Sequence, residues 1–525
     1  MGFLDRIFGD LARNLRWSFL PPLMVYFAAG ISGLTSVVGT FFVKDYLDLS
    51  AAFLAGLAFW AGLPWVLKMP LGHIVDLIWR WKALLVWLGA GLIAASLLIM
   101  YLLVTDTAAM GKIMPVSAWY VIAVLLAPSG YVVQDVVADA MTVEAVPKTR
   151  PDGAPFEEAE EKALHTTMQM LGRFAILSGL VLVAAVNIVM FEGAQDLLPE
   201  ARAELYGRIY LVALGIPVIS ILGVVLASLM RRGAATPNAG PEKAEALRPN
   251  WEILGGGLVF VVLSIGIGLA DPPFAQEAIF AGSMAVVLFL MRRLIAELPP
   301  ARARTLIGTA AIIFIFRAVP LPGPGMAWFE IDVLGFDEQF LSVLSLITGV
   351  LTLVGLVLLR PLMATRSIAS IVVILTLAAG LLALPNIGLV YGLHDWTAAM
   401  TGGVIEARAI AILDTAVESP LGQIAMVPML AWIARNAPAH LKATFFAVMA
   451  SFTNLALSAS SLATRYVNEI FLVTREVRDP VTGAVSVPAD YAALGPLLIA
   501  VALVAFAAPL LAVLLVQGSR WRTHS

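Results

Sequence analysis

Residues 83–104 read ALLVWLGAGLIAASLLIMYLLV and contain no charged side chain. A helix needs about 20 consecutive apolar residues to cross the hydrocarbon core of a bilayer. The rest of the 525-residue chain has the same character, since 60% of it is hydrophobic and 13% is charged. A soluble domain carries about 25% charged residues. The sequence therefore predicts an all-α protein that crosses a membrane many times.

Further segments of this kind lie on both sides of residues 83–104, which gives 14 predicted spans in all. They lie at 19–43, 51–70, 83–104, 116–142, 164–190, 207–230, 251–270, 275–291, 304–325, 340–359, 367–387, 402–434, 441–466 and 491–516. We predict a cytoplasmic interfacial segment at 1–18 (a frayed polar tail is the alternative), a six-helix bundle at 19–230, a cytoplasmic linker at 231–250, an extra transmembrane hairpin at 251–291, a second six-helix bundle at 304–516 and a cytoplasmic tail at 517–525.

The loop charges favour this arrangement. With the N-terminus inside the cell, the predicted cytoplasmic segments contain 22 Lys and Arg residues, and the outer loops contain six. Basic residues concentrate on the cytoplasmic side of membrane proteins. A missed helix would exchange the sides of every later loop, so the bias predicts an even number of spans and two cytoplasmic termini. Two six-helix halves joined by a basic linker are typical of the major facilitator fold.

Composition and motifs argue against several classes of function. The net charge of −3 argues against a nucleic-acid partner, and the absence of Cys excludes disulfides and thiolate chemistry. The five His residues are scattered, and the chain has no His-Glu-x-x-His, Gly-rich phosphate loop or Gly-x-Ser-x-Gly motif. We therefore expect no enzymatic activity, no cofactor and no metal site.

Charged residues inside predicted spans are the candidates for function, because a charge in hydrocarbon costs about 2.5–3.5 kcal/mol on insertion scales. Asp135 and Asp139 are four residues apart and share one helix face, and Asp414 and Glu418 repeat that spacing. Repulsion within such a pair favours loading and release of a proton. The alternative is a salt bridge that only locks helices together. The candidate substrate and proton path comprises Lys68, Asp135, Asp139, Gln169, Arg173, Arg317, Arg408, Asp414 and Glu418.

A second candidate site lies in the loop between the second and third spans, which reads GHIVDLIWRWK at residues 72–82. It resembles the gating loop of major facilitators, Gly-x3-Asp followed by basic residues. Gly72 would permit close helix approach. Glu144, at the inner end of the fourth span, is a potential partner for the basic residues, which could also be simple positive-inside anchors. The predicted cytoplasmic gate comprises Gly72, Asp76, Arg80, Lys82 and Glu144.

Four stretches resemble the signatures of the folate–biopterin transporter family. They are LPWVLKMPLG at 63–72 with Asp76, QDVVADAMTVE at 134–144, the segment from Pro320 to Leu341, and the segment from Gln423 to Leu455 with TFFAVMASFTNL at 444–455. The resemblance implies import of folates or pterins, driven by a proton gradient. Basic residues of the path would then bind substrate carboxylates, Asp135 or Asp139 would accept hydrogen bonds from a pterin, and Trp65, Trp328 or Phe329 would stack on its ring or serve only in packing.

The resemblance also leads us to expect a small anionic substrate and protons as partners. The absence of a transit-like leader and the composition, rich in Ala and Arg, favour the bacterial inner membrane, and we expect a monomer. Two other functions remain open at this point. One is a permease for another anion, such as muropeptide fragments. The other is a transporter-like membrane assembly factor, for example for light-harvesting complexes, although buried charges would then have no evident use.

Overall fold

The computed structural model of the protein describes residues 16–47, 49–66, 68–78, 81–147, 158–233, 251–270, 272–296, 298–359, 366–421, 442–478 and 485–523. The predicted interfacial segment at 1–18 and linker at 231–250 therefore lie mostly outside the described residues. The helices of the N-terminal half are α1 (Leu20–Gly30), α2 (Ser36–Tyr46), α3 (Ala51–Val66), α4 (Lys68–Leu77), α5 (Ala83–Thr105), α6 (Thr107–Ile113), α7 (Val116–Ala145), α8 (Glu158–Met190), α9 (Pro199–Ala213) and α10 (Gly215–Gly233). They are followed by α11 (Trp251–Ala270), α12 (Ala275–Ala296), α13 (Pro300–Arg317), α14 (Gly325–Asp332), α15 (Glu338–Leu358), α16 (Ile368–Val390), α17 (Leu393–Thr401), α18 (Ala407–Glu418), α19 (Lys442–Ile470) and α20 (Leu494–Gln517).

Within the described residues, ten helical stretches are long and apolar enough to cross a membrane. They run over 17–44, 51–75, 83–105, 116–142, 170–190, 200–230, 275–292, 338–356, 368–390 and 494–517. Each overlaps a span predicted from the sequence. A multi-pass membrane protein is thereby confirmed, whereas the total of 14 spans and the cytoplasmic position of both termini stay predictions.

The chain forms two compact units, which do not coincide with the two halves of the sequence. The first unit comprises residues 1–35, 70–190 and 198–256, and the second comprises residues 36–69, 191–197 and 257–525. The end of the first predicted span (residues 36–43) and nearly all of the second (residues 51–69) therefore belong with the C-terminal part of the chain. Hydropathy could not reveal this grouping, because each span is apolar whichever unit it joins.

Close helix crossings hold the first unit together. A Cβ atom built on Gly30 of α1 would lie 2.2 Å from the Ile176 carbonyl oxygen of α8. One built on Gly89 of α5 would lie 2.6 Å from the Gly130 carbonyl oxygen of α7. Lipid tails are as apolar as the side chains, so helices in a membrane gain from close backbone packing, which small residues permit. Any larger residue at these two crossings would force the helices apart.

A break in a helix is the main departure from the predicted spans. The predicted span 304–325 ends as a helix at Arg317, residues 318–324 are not helical, and α14 begins only at Gly325. Three prolines, Pro320, Pro322 and Pro324, remove N–H donors and prevent continuation of the helix. The prediction of one continuous helix was wrong here, because it relied on hydropathy and did not take the three prolines into account.

Side chains of α19 satisfy the exposed backbone of this break. Ser460 Oγ donates to Val319 O at 2.6 Å, and Asn468 Nδ2 donates to Pro322 O at 3.2 Å. In the opposite direction, Leu321 N donates to Thr464 Oγ1 at 2.9 Å. These three side chains are spaced four residues apart, so they lie on one helix face. Irregular backbone at membrane depth is tolerated only where such partners exist. The hydrogen bonds from α19 therefore stabilise the non-helical backbone of residues 318–324.

Candidate substrate and proton path

The carboxylates of α7 lie in the first unit and are half-buried. The Tyr26 hydroxyl of α1 donates a hydrogen bond of 2.6 Å to Asp139 Oδ1. Asp135, one turn earlier on α7, and Arg173 of α8 are close enough to interact electrostatically with the same hydroxyl. The structure thus gathers three predicted path residues around a tyrosine that the sequence analysis did not single out. A tyrosine in an apolar segment gives no signal by itself, so only the helix crossing could identify it.

Gln134 precedes this cluster on α7 and has a structural role. Its side chain is 3% exposed. The amide nitrogen donates to the Val86 carbonyl of α5 at 3.2 Å, and the amide oxygen accepts from Ser220 of α10 at 3.0 Å. A buried amide needs such partners. Gln134 therefore fixes the rotation of α7, and with it the direction in which the next residue, Asp135, points.

The predicted cytoplasmic gate contains one ion pair among the described residues. Lys82 Nζ lies 2.5 Å from Glu144 Oε1, and Lys82 is only 4% exposed. The side chain of Asp76 and the whole of Arg80 lie outside the described residues. A Cβ atom built on Gly72 would meet nothing within 4 Å among the described residues, so the structure shows no close helix approach at this glycine.

The acidic residues of α18 occupy different environments. Asp414 is half-buried, and its Oδ2 accepts a 2.9 Å hydrogen bond from Asn386 of α16. Its Oδ1 is buried and has no hydrogen-bond partner among the described residues. Glu418, one turn later, is exposed. Asp139 is the second carboxylate of its pair and Asp414 is the first of its own, so the hydrogen bonds from Tyr26 and Asn386 fall at opposite positions of the two pairs.

Glu330 is a further acidic residue of the second unit, and the sequence analysis missed it. It lies on α14, outside the ten candidate spans. Burial, and then the nearby carboxylate of Asp414, raise the pKa of Glu330 to about 7. A carboxyl group with this pKa exchanges protons near neutral pH. The sequence analysis missed Glu330 because it lies in the predicted loop between spans 304–325 and 340–359, and only charged residues inside predicted spans were considered.

The four basic residues of the predicted path lie on four different helices. Arg408 donates to Asp337 Oδ2 at 2.9 Å and to the Gly335 carbonyl at 3.2 Å, and it lies 5.0 Å from the centre of the Phe340 ring. Arg317 is the last residue of α13, where a positive charge complements the helix dipole. Lys68 begins α4 and, like Arg173 and Arg317, is half-buried. The remaining path residue is Gln169 of α8, whose side chain lies outside the described residues.

Arg475 of the second unit is a buried basic residue with several acceptors. It is 3% exposed, and its guanidinium donates to the carbonyl oxygens of Val43, Lys44 and Leu49. The first two belong to the last turn of α2, and the Val43 carbonyl also accepts from Leu47 N at 3.3 Å. The guanidinium also lies 4.8 Å from the Trp328 ring centre. Trp328 is 2% exposed and packs against this guanidinium, which favours a packing role over stacking on a pterin.

Lys44 and Tyr491 both contact one carboxylate near this point. Lys44 Nζ lies 2.6 Å from Asp332 Oδ1, and the Tyr491 hydroxyl donates to Asp332 Oδ2 at 2.5 Å. The segment after α19 also contains a short antiparallel pair, β1 (Val477–Arg478) and β2 (Val485–Val487). Asp332 therefore joins the end of α2 to the residues that precede α20.

The sequence comparisons place this architecture in a known family. A model of the BT1 family matches residues 174–521, well over half of the chain. The chain belongs to the BT1 family. A folate-biopterin transporter from Synechocystis sp. (strain ATCC 27184 / PCC 6803 / Kazusa) is 22% identical to this BT1 protein over 444 residues, 84% of this chain and 72% of that transporter. The predicted family is confirmed, and the BT1 chain is a transporter rather than an enzyme.

Solved structures of similar fold are transporters as well. A POT family transporter in complex with a thioalcohol-conjugated peptide matches with a TM-score of 0.58 and 14% identity, over 96% of each chain. A mutant form of the nucleoside transporter NupG matches with a TM-score of 0.56 and 11% identity, over 94% of this chain and 98% of NupG. At such identities the likeness shows the fold alone. The BT1 chain shares the fold of these transporters.

Proposed function

We propose that this BT1 protein is a proton-coupled symporter that moves folate- or pterin-type organic anions across the bacterial inner membrane by alternating access. Membership of the BT1 family and similarity to a protein named folate-biopterin transporter support the substrate class. In this proposal the protein is a monomer with 14 spans and cytoplasmic termini. The two six-helix bundles, the linker and the central hairpin have the bounds predicted from the sequence.

The cluster of Asp135, Asp139, Arg173 and Tyr26 carries the proposal. Three ionisable side chains lie half-buried among apolar helices, where each charge has a substantial insertion cost. A protein that served only as a scaffold would gain nothing from bearing that cost. Carboxylates that exchange a proton and a guanidinium that binds a carboxylate are the groups that symport of an organic anion requires. Lys68, Arg317 and Arg408 are further candidates for the anion.

Lys82 and Glu144 supply the proposed cytoplasmic gate, together with Gly72, Asp76 and Arg80. Their ion pair joins the beginning of α5 to the end of α7. An ion pair that breaks and re-forms is a suitable two-state contact, because its strength depends on water access. Asp414 and Glu418 are the corresponding candidates for proton exchange in the second unit.

The test is uptake of radiolabelled folate and pterin into proteoliposomes, with and without an inward proton gradient. We expect gradient-stimulated uptake by the wild type and its loss in Asp135→Asn or Asp139→Asn. Asp106→Asn is the matched control, because Asp106 is an exposed carboxylate that caps α6. Uptake of muropeptide fragments instead would overturn the substrate class. No uptake of any of these anions by folded protein would overturn transport of this class and favour an assembly role.

A further inference from the structure

The short helix α17 lies directly after a membrane span. The candidate span 368–390 is followed by a turn at Gly392, where φ is +80°, and α17 begins at Leu393. A second turn with positive φ, at Gly402, ends the helix. A helix of nine residues is about 14 Å long, roughly half the thickness of the hydrocarbon core of a bilayer. It therefore cannot cross the membrane, and it lies near the surface at which α16 ends.

Tyr391 shows that a second span has its boundary at the same level. A Cβ atom built on Gly495 would lie 2.5 Å from the Tyr391 hydroxyl oxygen. Gly495 is the second residue of α20 and of the candidate span 494–517. One span thus ends and another begins beside Tyr391, two residues before α17. Two spans that run in opposite directions both place the membrane boundary at this helix.

One face of α17 is fixed against the second unit. The Thr397 hydroxyl donates to the Ile405 carbonyl at 2.7 Å, and Ile405 N donates to Thr401 Oγ1 at 2.9 Å. Leu393 packs against the buried cluster that contains Phe336. Leu393, Thr397 and Thr401 are spaced four residues apart, so they share one helix face. These contacts determine which residues of α17 point away from the protein.

Another face of α17 is exposed and apolar. Trp396 is 62% exposed, Met400 is 71% exposed, and Ala399 lies beside them on the same face. The charged residue Asp395 is also exposed, and it lies about 140° around the helix from Met400. The helix thus has one side towards the protein, one apolar side and one charged side. A division into an apolar and a charged face is typical of a helix that lies in a membrane interface.

We propose that α17 is an interfacial helix that inserts Trp396 and Met400 into the lipid surface, at the boundary between headgroups and acyl chains. The indole of a tryptophan suits this depth, because its ring is apolar and its N–H can bind a headgroup. Asp395 faces the water. The bilayer is the partner, since the ends of two spans place this face beside lipid. Through α17 the membrane surface would hold the connection between α16 and α18, whose residues Asn386 and Asp414 are hydrogen-bonded.

The depth of α17 can be measured at single labelled positions. The chain has no Cys, so one introduced cysteine gives one site for a nitroxide label. Met400→Cys is labelled in proteoliposomes, and EPR power saturation gives its collision rates with oxygen, which concentrates in lipid, and with a water-soluble nickel chelate. Asp395→Cys, exposed on the same helix, is the matched control. We expect the ratio of oxygen to nickel collisions to be several-fold higher at residue 400 than at residue 395.

Two results would overturn the proposal. Equal ratios at residues 400 and 395 would place both faces of α17 in water. Shielding of residue 400 from both reagents would show that protein, rather than lipid, covers this face. The measurement uses no substrate, so a failure of folate or pterin uptake would refute the proposed function and leave this result unaffected.

The contribution of Trp396 is tested in the labelled Met400→Cys protein. Trp396→Ala removes the ring at the headgroup level, so the ratio at residue 400 should fall towards that at residue 395. Trp396→Phe keeps an apolar ring and should preserve most of the ratio. Trp17→Ala, which removes an exposed tryptophan of the first unit, is the control and should leave the ratio in place. A ratio unchanged by Trp396→Ala in folded protein would show that Trp396 does not anchor α17.

Discussion

Lys44 Nζ lies 2.6 Å from Asp332 Oδ1, so the end of α2 is joined to the short helix α14. The two side chains are 13% and 22% exposed, which makes the pair mostly buried. Asp332 also accepts the Tyr491 hydroxyl. One carboxylate therefore connects three segments of the second unit that are far apart in sequence.

Removing that carboxylate should destabilise the protein. Asp332→Ala leaves the Lys44 ammonium largely buried without this partner, and we expect a loss of about 1–3 kcal/mol in the free energy of unfolding. Thermal unfolding in detergent should show this as a lower Tm. Arg208→Ala is the matched control, because its pair with Glu204 is exposed and contributes little. Equal effects of the two substitutions would show that burial of the Lys44–Asp332 pair has no energetic weight.

Arg475 should not tolerate a lysine. Its guanidinium reaches three carbonyl oxygens and the face of Trp328 at once, and a single ammonium has neither the span nor the planar shape to do so. We expect Arg475→Lys to cost about 2–4 kcal/mol in the free energy of unfolding, since buried carbonyls lose their donors. Tm in detergent measures this cost.

Arg520→Lys provides the comparison for Arg475→Lys. Arg520 also lies over an aromatic ring, at 5.2 Å from the Trp521 ring centre, but it is exposed. Its substitution should change Tm much less, because an exposed cation–π contact contributes about 0.5–1 kcal/mol or less. A Tm for Arg475→Lys equal to the wild-type value would contradict the capping role of Arg475.

The sequence predicted the long apolar spans well, because hydropathy over about 20 residues is a strong signal. It placed the fourth span at 116–142, and the structure has a helix at Val116–Ala145. The helix break after Arg317 was missed, because the prediction relied on the apolar residues of this stretch and not on its three prolines. Hydrogen-bond and electrostatic partners that lie on different helices could not be predicted from the sequence either. Asp139 was identified as a candidate, whereas Tyr26 and Glu330 become visible only when helices from distant parts of the chain pack together.

Glu330 should make stability depend on pH. An ordinary glutamate has a pKa of 4.5, and burial raises the pKa of Glu330 to about 7. As pH rises from about 4.5 to 7, the unfolded chain loses this proton freely while the folded chain retains it, so folding stability falls across that window and is level above it. The loss amounts to about 3 kcal/mol at most.

The substitution Glu330→Gln removes this dependence. The Tm of the variant should be higher than that of the wild type at pH 8, and the two Tm values should be nearly equal at pH 5. Glu192→Gln, an exposed glutamate in the loop before α9, is the control and should give the same small difference at both pH values. A Tm difference for Glu330→Gln that does not change between pH 5 and pH 8 would show that Glu330 titrates as an ordinary carboxylate.

The two partners of the Lys82–Glu144 pair should respond unequally to substitution. Lys82 is 5% exposed at its side chain, and Glu144 is 31% exposed. Glu144→Ala leaves a buried ammonium without its carboxylate, whereas Lys82→Met fills the same space with an apolar chain and leaves a carboxylate that water can reach. We therefore expect Glu144→Ala to reduce the free energy of unfolding by about 1–3 kcal/mol more than Lys82→Met does. Thermal unfolding in detergent should show this as a lower Tm for Glu144→Ala. If Lys82→Met is the more damaging variant, the ammonium has an additional role at the C-terminal end of α7. If Glu144→Ala is harmless, Lys82 is not held by this pair, and the proposed gate would have to rest on other contacts.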